Sequence, residues 1–257
     1  MFRIVIPARH ASTRLPGKPL LLIEGKPMLQ WVHEVAVASG AEEVIIATDD
    51  ERIVEVAAGF GARAMLTSLT HVSGTDRIAE VAQHARWDDA DVVVNLQGDE
   101  PLMPPELIRQ VAQLLEDHPG ADIATLSSRM TSLAAFMDTN YVKVVTDSTG
   151  RALYFSSAPI PWGRDTASTN LSTQRSFNGA RRHIGLYAYR AAALRRMSQL
   201  PPSLLEQLEK LEQLRALENG FEIRVADAVA RPGPHVDTPE DLARVALLIS
   251  QRKEQGA

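Results

Sequence analysis

The first hundred residues alternate short β-branched runs with segments of helical spacing. That alternation confines the chain to a sheet of largely parallel strands with helices packed on its faces. Phe2 to Ile6 is the first run, and a polar loop rich in Pro, Gly and Arg follows it. Pro27 opens a helix in which Met28, Trp31, Val32 and Val35 recur at helical spacing until Gly40 ends it. Val44 to Ala47 reads as a second buried strand, and Asp49 or Asp50 caps a helix with Ile53, Val54 and Ala57 as its apolar stripe. A strand near Ala64 to Leu66, a helix near Asp76 to Ala85 and a strand at Val92 to Leu96 continue the pattern.

The second half is patterned differently. Val142 to Thr146 and Arg151 to Phe155 flank Asp147-Ser148-Thr149-Gly150, which predicts a hairpin. The polar stretch Arg164 to Asn178 reads as a mobile loop. Arg182 to Tyr189 resumes a strand, and Leu204 to Leu217 reads as one helix with Leu204, Leu208 and Leu211 facing the core. Phe221 to Ala226 is a strand and Pro239 to Ile249 a closing helix. With no internal repeat or low-complexity linker, residues 1–257 are expected to form a single mixed α/β domain. An insertion carrying the hairpin is expected at about residues 125 to 190.

Composition removes several classes. The 27 basic and 32 acidic side chains give a net charge of -5, which argues against a general nucleic-acid binder. Absence of cysteine excludes a disulfide framework and thiolate-bound zinc and fits a reducing compartment. No apolar run approaches the roughly 18 to 20 residues of a spanning helix. The N-terminal run is too short for a signal-peptide core and is stopped by Pro7 and Arg9. A soluble cytoplasmic protein, with neither a membrane nor a nucleic acid as partner, is the expectation.

Chemistry concentrates at strand ends. The loop after the first strand carries Arg9, Arg14 and Lys18 within ten residues, and several cations beside backbone amides suit a triphosphate. A solvated basic turn is the alternative. A Walker loop is excluded, because Ser12 and Pro19 occupy its required Gly and Ser/Thr positions. Gly59-Phe60-Gly61-Ala62-Arg63-Ala64 follows a helix and precedes a strand, the reverse of the dinucleotide context, so it reads as a turn. Asp99 closes the strongest strand behind Gly98, well placed to hold a hard cation against phosphate. A capping role is the alternative, weakened by Pro101, Pro104 and Pro105. On spacing alone, Asp237 reads as a helix-terminus residue. Ser73 or Thr75 caps the helix that follows. His183 and Tyr187, four apart on a strand, share a face and suit a half-buried core equally well. No Ser-His-Asp arrangement or H-E-x-x-H motif is present.

Ile6-Pro7-Ala8-Arg9 together with Ser12-Thr13-Arg14-Leu15-Pro16-Gly17-Lys18-Pro19 resembles the N-terminal signature of the 3-deoxy-manno-octulosonate (Kdo) cytidylyltransferases. Further segments carry the resemblance in order along nearly the whole chain. They are Ala47-Thr48-Asp49, Ser73-Gly74-Thr75-Asp76-Arg77, Asn95-Leu96-Gln97-Gly98-Asp99-Glu100-Pro101, Ile160-Pro161-Trp162, Arg182-His183-Ile184-Gly185-Leu186-Tyr187, Leu211-Glu212-Gln213-Leu214-Arg215 and Val236-Asp237-Thr238-Pro239-Glu240-Asp241-Leu242. Asp76 stands where many relatives carry Glu.

The resemblance implies a glycosyltransferase-A-like nucleotidyltransferase fold that joins CTP to an eight-carbon acidic sugar, supplying lipopolysaccharide precursor in a Gram-negative cell. The anomeric hydroxyl would attack the α-phosphorus directly, with Arg9, Arg14, Lys18 and Asp99 as the catalytic set and Mg2+ on Asp99 and Asp237. Pro7, Ala8, Arg9, Ser12, Lys18, Ser73, Gly74, Arg77 and Gln97 would border the nucleotide. Arg164, Arg182, His183, Tyr187, Glu212 and Gln213 would face the sugar. Glu100, Glu240 and Asp241 would lie beside the site or in solvent. A homodimer using the Ala-rich helices and the hairpin is implied, although a hairpin insertion also suits a lid. Alternatives are the same reaction on 8-amino-Kdo or sialic acid, and a non-catalytic nucleotide-sensing module.

Overall fold

The computed structural model describes residues 1–11, 15–71, 73–164 and 176–256. The chain begins with β1 (Phe2–Ala8), a small β2–β3 ribbon (Leu22–Ile23, Lys26–Pro27) and α1 (Met28–Ala38). Next come β4 (Glu43–Thr48), α2 (Glu51–Gly59), β5 (Arg63–Leu66), α3 (Gly74–His84), β6 (Val92–Asn95), α4 (Pro105–Glu116) and β7 (Ile123–Arg129). A short α5 (Leu133–Met137) leads to β8 (Lys143–Thr146) and β9 (Ala152–Ser156). The chain then returns through β10 (Arg181–Arg190), α6 (Ala191–Met197), α7 (Leu204–Glu209), α8 (Gln213–Glu218), β11 (Ile223–Asp227) and α9 (Pro239–Gly256).

The strands lie in the order β11-β7-β10-β6-β1-β4-β5, with β8 and β9 joined to β10 at one end. β1 pairs in parallel with β4 and β6, β4 with β5, and β7 with β11; only β10 runs against its neighbours β6 and β7 along this path. The expected mixed, mostly parallel sheet is therefore present. Ile4 and Ile6 of β1 enter one core with α1, α2 and α4, while Val5 enters the other with α3 and α6. An uninterrupted apolar strand is what a sheet covered on both faces demands.

Local signals behave as the residues dictate. Asp50, not Asp49, caps α2 by accepting from the Arg52 amide at 3.0 Å. The β8–β9 turn closes on Asp147, whose Oδ1 accepts from the amides of Thr149 (2.8 Å) and Arg151 (3.0 Å). Buried Lys143 ties the hairpin base by donating to the carbonyls of Asp138, Tyr141 and Ser157.

Two expectations need correction. β7 and β10 are members of the main sheet, so the excursion from it spans residues 130–180 rather than 125–190. The helix expected over 204–217 is broken: Lys210 takes φ 58°, ends α7, and α8 restarts at Gln213. Leu204 and Leu208 face outward, 68% and 70% exposed, while Leu205 and Leu211 pack inward. Helical periodicity cannot register a left-handed residue in mid-segment, because its cost is repaid by contacts elsewhere.

Lys210→Gly should relieve that backbone and raise stability by about 1 kcal/mol, read as a higher urea midpoint at unchanged m-value.

Candidate active site

The loop after β1 doubles back on a left-handed Gly17 (φ 67°), whose amide donates to the His10 carbonyl at 3.1 Å. This returns Lys18 to the carboxyl edge of the sheet. Its Nζ donates to Asp99 Oδ2 at 2.7 Å, to the Val236 carbonyl at 2.8 Å and to Asp237 Oδ1 at 3.1 Å. Three segments far apart in sequence thus meet on one ammonium. Burial disfavours that charge, but Asp99 and then Asp237 outweigh it, and the Lys18 pKa ends above its ordinary value.

Backbone packing brings the two carboxylates together. A Cβ on Gly98 would stand 2.9 Å from the Pro7 carbonyl, so only glycine lets the β6 loop lie against β1. The Val236 amide donates to the Asp99 carbonyl at 2.9 Å, pinning the C-terminal loop to the same edge. Asp237 does not cap α9, contrary to the reading from spacing. Thr238 Oγ1 accepts from the Asp241 amide at 3.2 Å, and Asp241 Oδ2 accepts from the amides of Asp237 (3.1 Å) and Thr238 (3.0 Å). This reciprocal cap does not use the Asp237 carboxylate, whose Oδ1 accepts from Lys18. Among the described residues no third His, Asp or Glu gathers with the pair in metal-ligand fashion.

A second, neutral polar group lies on the face of β10 that carries His183 and Tyr187. Tyr187 pairs with Asn95 across the ladder, and Gln97 Nε2 donates to Asn95 Oδ1 at 3.2 Å. The His183 ring contacts Tyr187 (5.2 Å between centroids) and meets Phe155 edge-on (5.0 Å). Burial, then the Arg182 charge, lowers the His183 pKa to about 3, so the ring is neutral. Glu212 joins this group to the α3 loop: it accepts from Ser73 Oγ at 3.1 Å, Thr75 Oγ1 at 3.0 Å and Arg215 at 2.8 Å. Burial raises the Glu212 pKa despite Arg215 beside it. Gln213 is buried, as is Arg215, which also pairs with Glu206 at 3.3 Å. Glu212 and Gln213 therefore lie within the fold and not on a solvated helix face.

Pro7, Ala8, Gly74, Gly98 and Gln97 converge at the ends of β1 and β6, and a Cβ on Gly74 would stand 3.5 Å from the Pro7 ring. Ser73 caps α3, accepting from the Asp76 amide. Arg9 follows β1 and is exposed, as is Arg164. Ser12, Arg14 and most of the polar stretch after Arg164 lie outside the described residues.

Two expected contacts are displaced. Arg77 is wholly buried, donating to Asp49 Oδ2 at 2.7 Å and to Thr67 Oγ1, so it braces the ends of β4 and β5 rather than touching a nucleotide. Arg182 alternates with His183 along β10 and so points to the opposite face, where its guanidinium lies 4.3 Å over the Tyr141 ring. Glu100 is not solvated either, since its Oε2 is buried with no hydrogen-bond partner among the described residues. Asn95, Thr125 and Phe155 were not singled out as site-forming. Asn95 had a signal, being the polar residue that ends an otherwise apolar strand; Thr125 and Phe155 had none.

Comparison with known proteins agrees over nearly the whole chain. A family model described as cytidylyltransferase matches residues 3–223. The 3-deoxy-manno-octulosonate cytidylyltransferase of Thioalkalivibrio sulfidiphilus is 55% identical over 248 residues, covering 96% of this chain and 98% of the relative. The protein of the same name from Idiomarina loihiensis is 53% identical over 247 residues, with 96% and 98% covered. A solved CMP:2-keto-3-deoxy-manno-octonic acid synthetase complexed with CTP is 44% identical, with a TM-score of 0.87 over 98% of this chain and all of that one. A cytidylyltransferase from Leptospira borgpetersenii, 18% identical with a TM-score of 0.62, shares the fold; 96% of this chain and 86% of that one are covered.

The buried Glu100 makes stability pH-dependent. Burial, reinforced by Asp99, pushes its pKa from 4.5 to about 8. The folded state therefore holds a proton that the unfolded state has released, and stability is lost as pH rises from 4.5 through about 8. Glu100→Gln should raise the unfolding free energy above pH 8 by about 1–3 kcal/mol and change it little near pH 4.5, as read from urea denaturation.

Proposed function

The chain belongs to the cytidylyltransferase family, and from that premise we propose that it transfers CMP from CTP to the anomeric hydroxyl of 3-deoxy-D-manno-octulosonate, giving CMP-Kdo and pyrophosphate. The observation that carries this reading is the junction of Lys18, Asp99 and Asp237 at the sheet edge that also carries the Gln97–Asn95 contact and Tyr187, in a chain 55% identical to a relative of that name. In the reaction the anomeric oxygen bonds to the α-phosphorus as the bond to the bridging oxygen breaks. Pyrophosphate departs with the electron pair, and the hydroxyl proton passes to water. No protein nucleophile is needed.

The residues divide the work by charge. Lys18, Arg9 and Arg14 supply positive charge for the phosphates, whose negative charge must be met before an oxygen nucleophile can approach. Pro7, Ala8, Ser12, Ser73, Gly74 and Gln97 border the nucleotide. His183, Tyr187, Glu212, Gln213 and Arg164 serve the sugar, with arginine as the counter-charge for its carboxylate.

Mg2+ is the proposed cofactor, held by Asp99 and Asp237. The fit rests on two carboxylate oxygens converging on a single positive atom, since Mg2+ takes only one or two protein carboxylates. When bound it would neutralise charge on phosphate oxygens. Lys18, now bonded to both carboxylates, is the cation that can transfer to the phosphates.

Among the described residues no helix is long and apolar enough to cross a membrane. A cytoplasmic homodimer supplying lipopolysaccharide synthesis is the setting we favour. Leu153, Leu204 and Leu208 are large apolar side chains exposed and available for self-association.

Pyrophosphate release from CTP and Mg2+ tests the reading, with Kdo, 8-amino-Kdo and N-acetylneuraminate compared in parallel. Turnover with Kdo, abolished by chelation and reduced at least about a hundredfold in Asp99→Ala, is expected. Turnover with only another sugar would replace the substrate, whereas CTP binding without turnover on any of the three would revive the sensing module. Sedimentation equilibrium should return the mass of two chains, and a single-chain mass would remove the dimer.

A further inference from the structure

β10 is not paired evenly with β7. The register jumps between Ile184, opposite Leu126, and Tyr187, opposite Thr125. Thr125 is fully buried at this irregularity, and its hydroxyl has three close neighbours. They are the carbonyls of Ile184 at 3.0 Å and Leu186 at 2.8 Å, and the His183 Nε2 at 3.0 Å.

A threonine hydroxyl has one proton and two acceptor lone pairs. Both carbonyls can only accept, so the hydroxyl proton is committed to them. A bare Nε2 would then face an oxygen lone pair across 3.0 Å with no proton between, whereas a protonated Nε2 completes the set. We propose that Thr125 is a positioning residue of the sugar cleft: it holds His183 as the Nε2–H tautomer and so leaves Nδ1 as a hydrogen-bond acceptor for a sugar hydroxyl.

Nδ1 has no hydrogen-bond partner among the described residues. The ring cannot readily turn to exchange its nitrogens, because Phe155 and Tyr187 pack against it at 5.0 and 5.2 Å. Thr125 also stands opposite Tyr187 in the ladder, so the same residue sets the backbone of a second cleft side chain. A neutral acceptor at Nδ1 suits an uncharged O–H donor and not a carboxylate, which leaves the sugar's carboxylate to an arginine. The sugar contact rests on the function proposed above; the tautomer does not.

Nitrogen-15 NMR of the histidine-labelled full-length protein reads the tautomer directly, with His183→Asn identifying the signal. The proton is expected on Nε2 in the wild type. Thr125→Val, which keeps the shape and removes the hydroxyl, should lose this single-tautomer signature. It should also raise the KM for Kdo about tenfold, the worth of one hydrogen bond, with kcat and the KM for CTP within about twofold. Thr125→Ser should restore both readouts, which a purely packing role for threonine would not. A proton found on Nδ1 in the wild type overturns the proposal. So does a folded Thr125→Val protein with tautomer and sugar KM unchanged. Should that variant fail to fold, the wild-type spectrum and Thr125→Ser decide. A wild-type Nε2–H signal without Kdo turnover would sink the functional reading and leave the Thr125–His183 pairing standing.

Discussion

The ammonium of Lys18 is the point on which the candidate active site depends. Asp99 and Asp237 approach the same small region, and two carboxylates so close repel unless a cation lies between them. Removing one partner of such a contact destabilises the fold, because the remaining charge is left uncompensated. The loop after β1, the loop after β6 and the segment before α9 are therefore held together by electrostatics as much as by apolar packing. Under the proposed function, the same two carboxylates would hold the cation and Lys18 would turn to the phosphates.

On the face of β10 that carries His183, polarity is organised by neutral hydrogen bonds instead. Glu212 ties the α3 cap to the segment before α8, and Thr125 ties the irregular part of β10 to His183. Burial strips His183 of its charge and keeps Arg215 paired, so this wall presents directional donors and acceptors with little net charge. A carbohydrate hydroxyl is recognised by that kind of surface, whereas the phosphates need the charged one. One sheet edge thus carries two chemically distinct halves.

Much of the fold was readable because its rules are local. Parallel strands covered on both faces must be apolar throughout, and Ile4-Val5-Ile6 and Val92-Val93-Val94 are. Asp147 and Gly150 marked the hairpin, and Pro239 marked the start of α9. The misreadings share a different cause. Lys210 breaks a regular leucine pattern by adopting a conformation that periodicity does not encode, and β7 and β10 join the main sheet through pairings of residues far apart in the chain, such as Asn95 with Tyr187.

The residue types and order along the chain determined a doubly covered α/β sheet, a cationic first loop and the carboxylates suited to a cation. They also determined the family, since its motifs recur nearly from end to end. Tertiary structure decided which of those residues share a site. Arg77 and Arg182 carry the same guanidinium as any candidate anion ligand, yet one is buried against Asp49 and the other faces away across the strand. Asp237 reads as a cap until Thr238 and Asp241 are seen to cap each other, while the Asp237 carboxylate accepts from Lys18. Chemistry is a property of the side chain, but burial, facing and partner depend on contacts between segments hundreds of residues apart, such as Lys18 with Asp237.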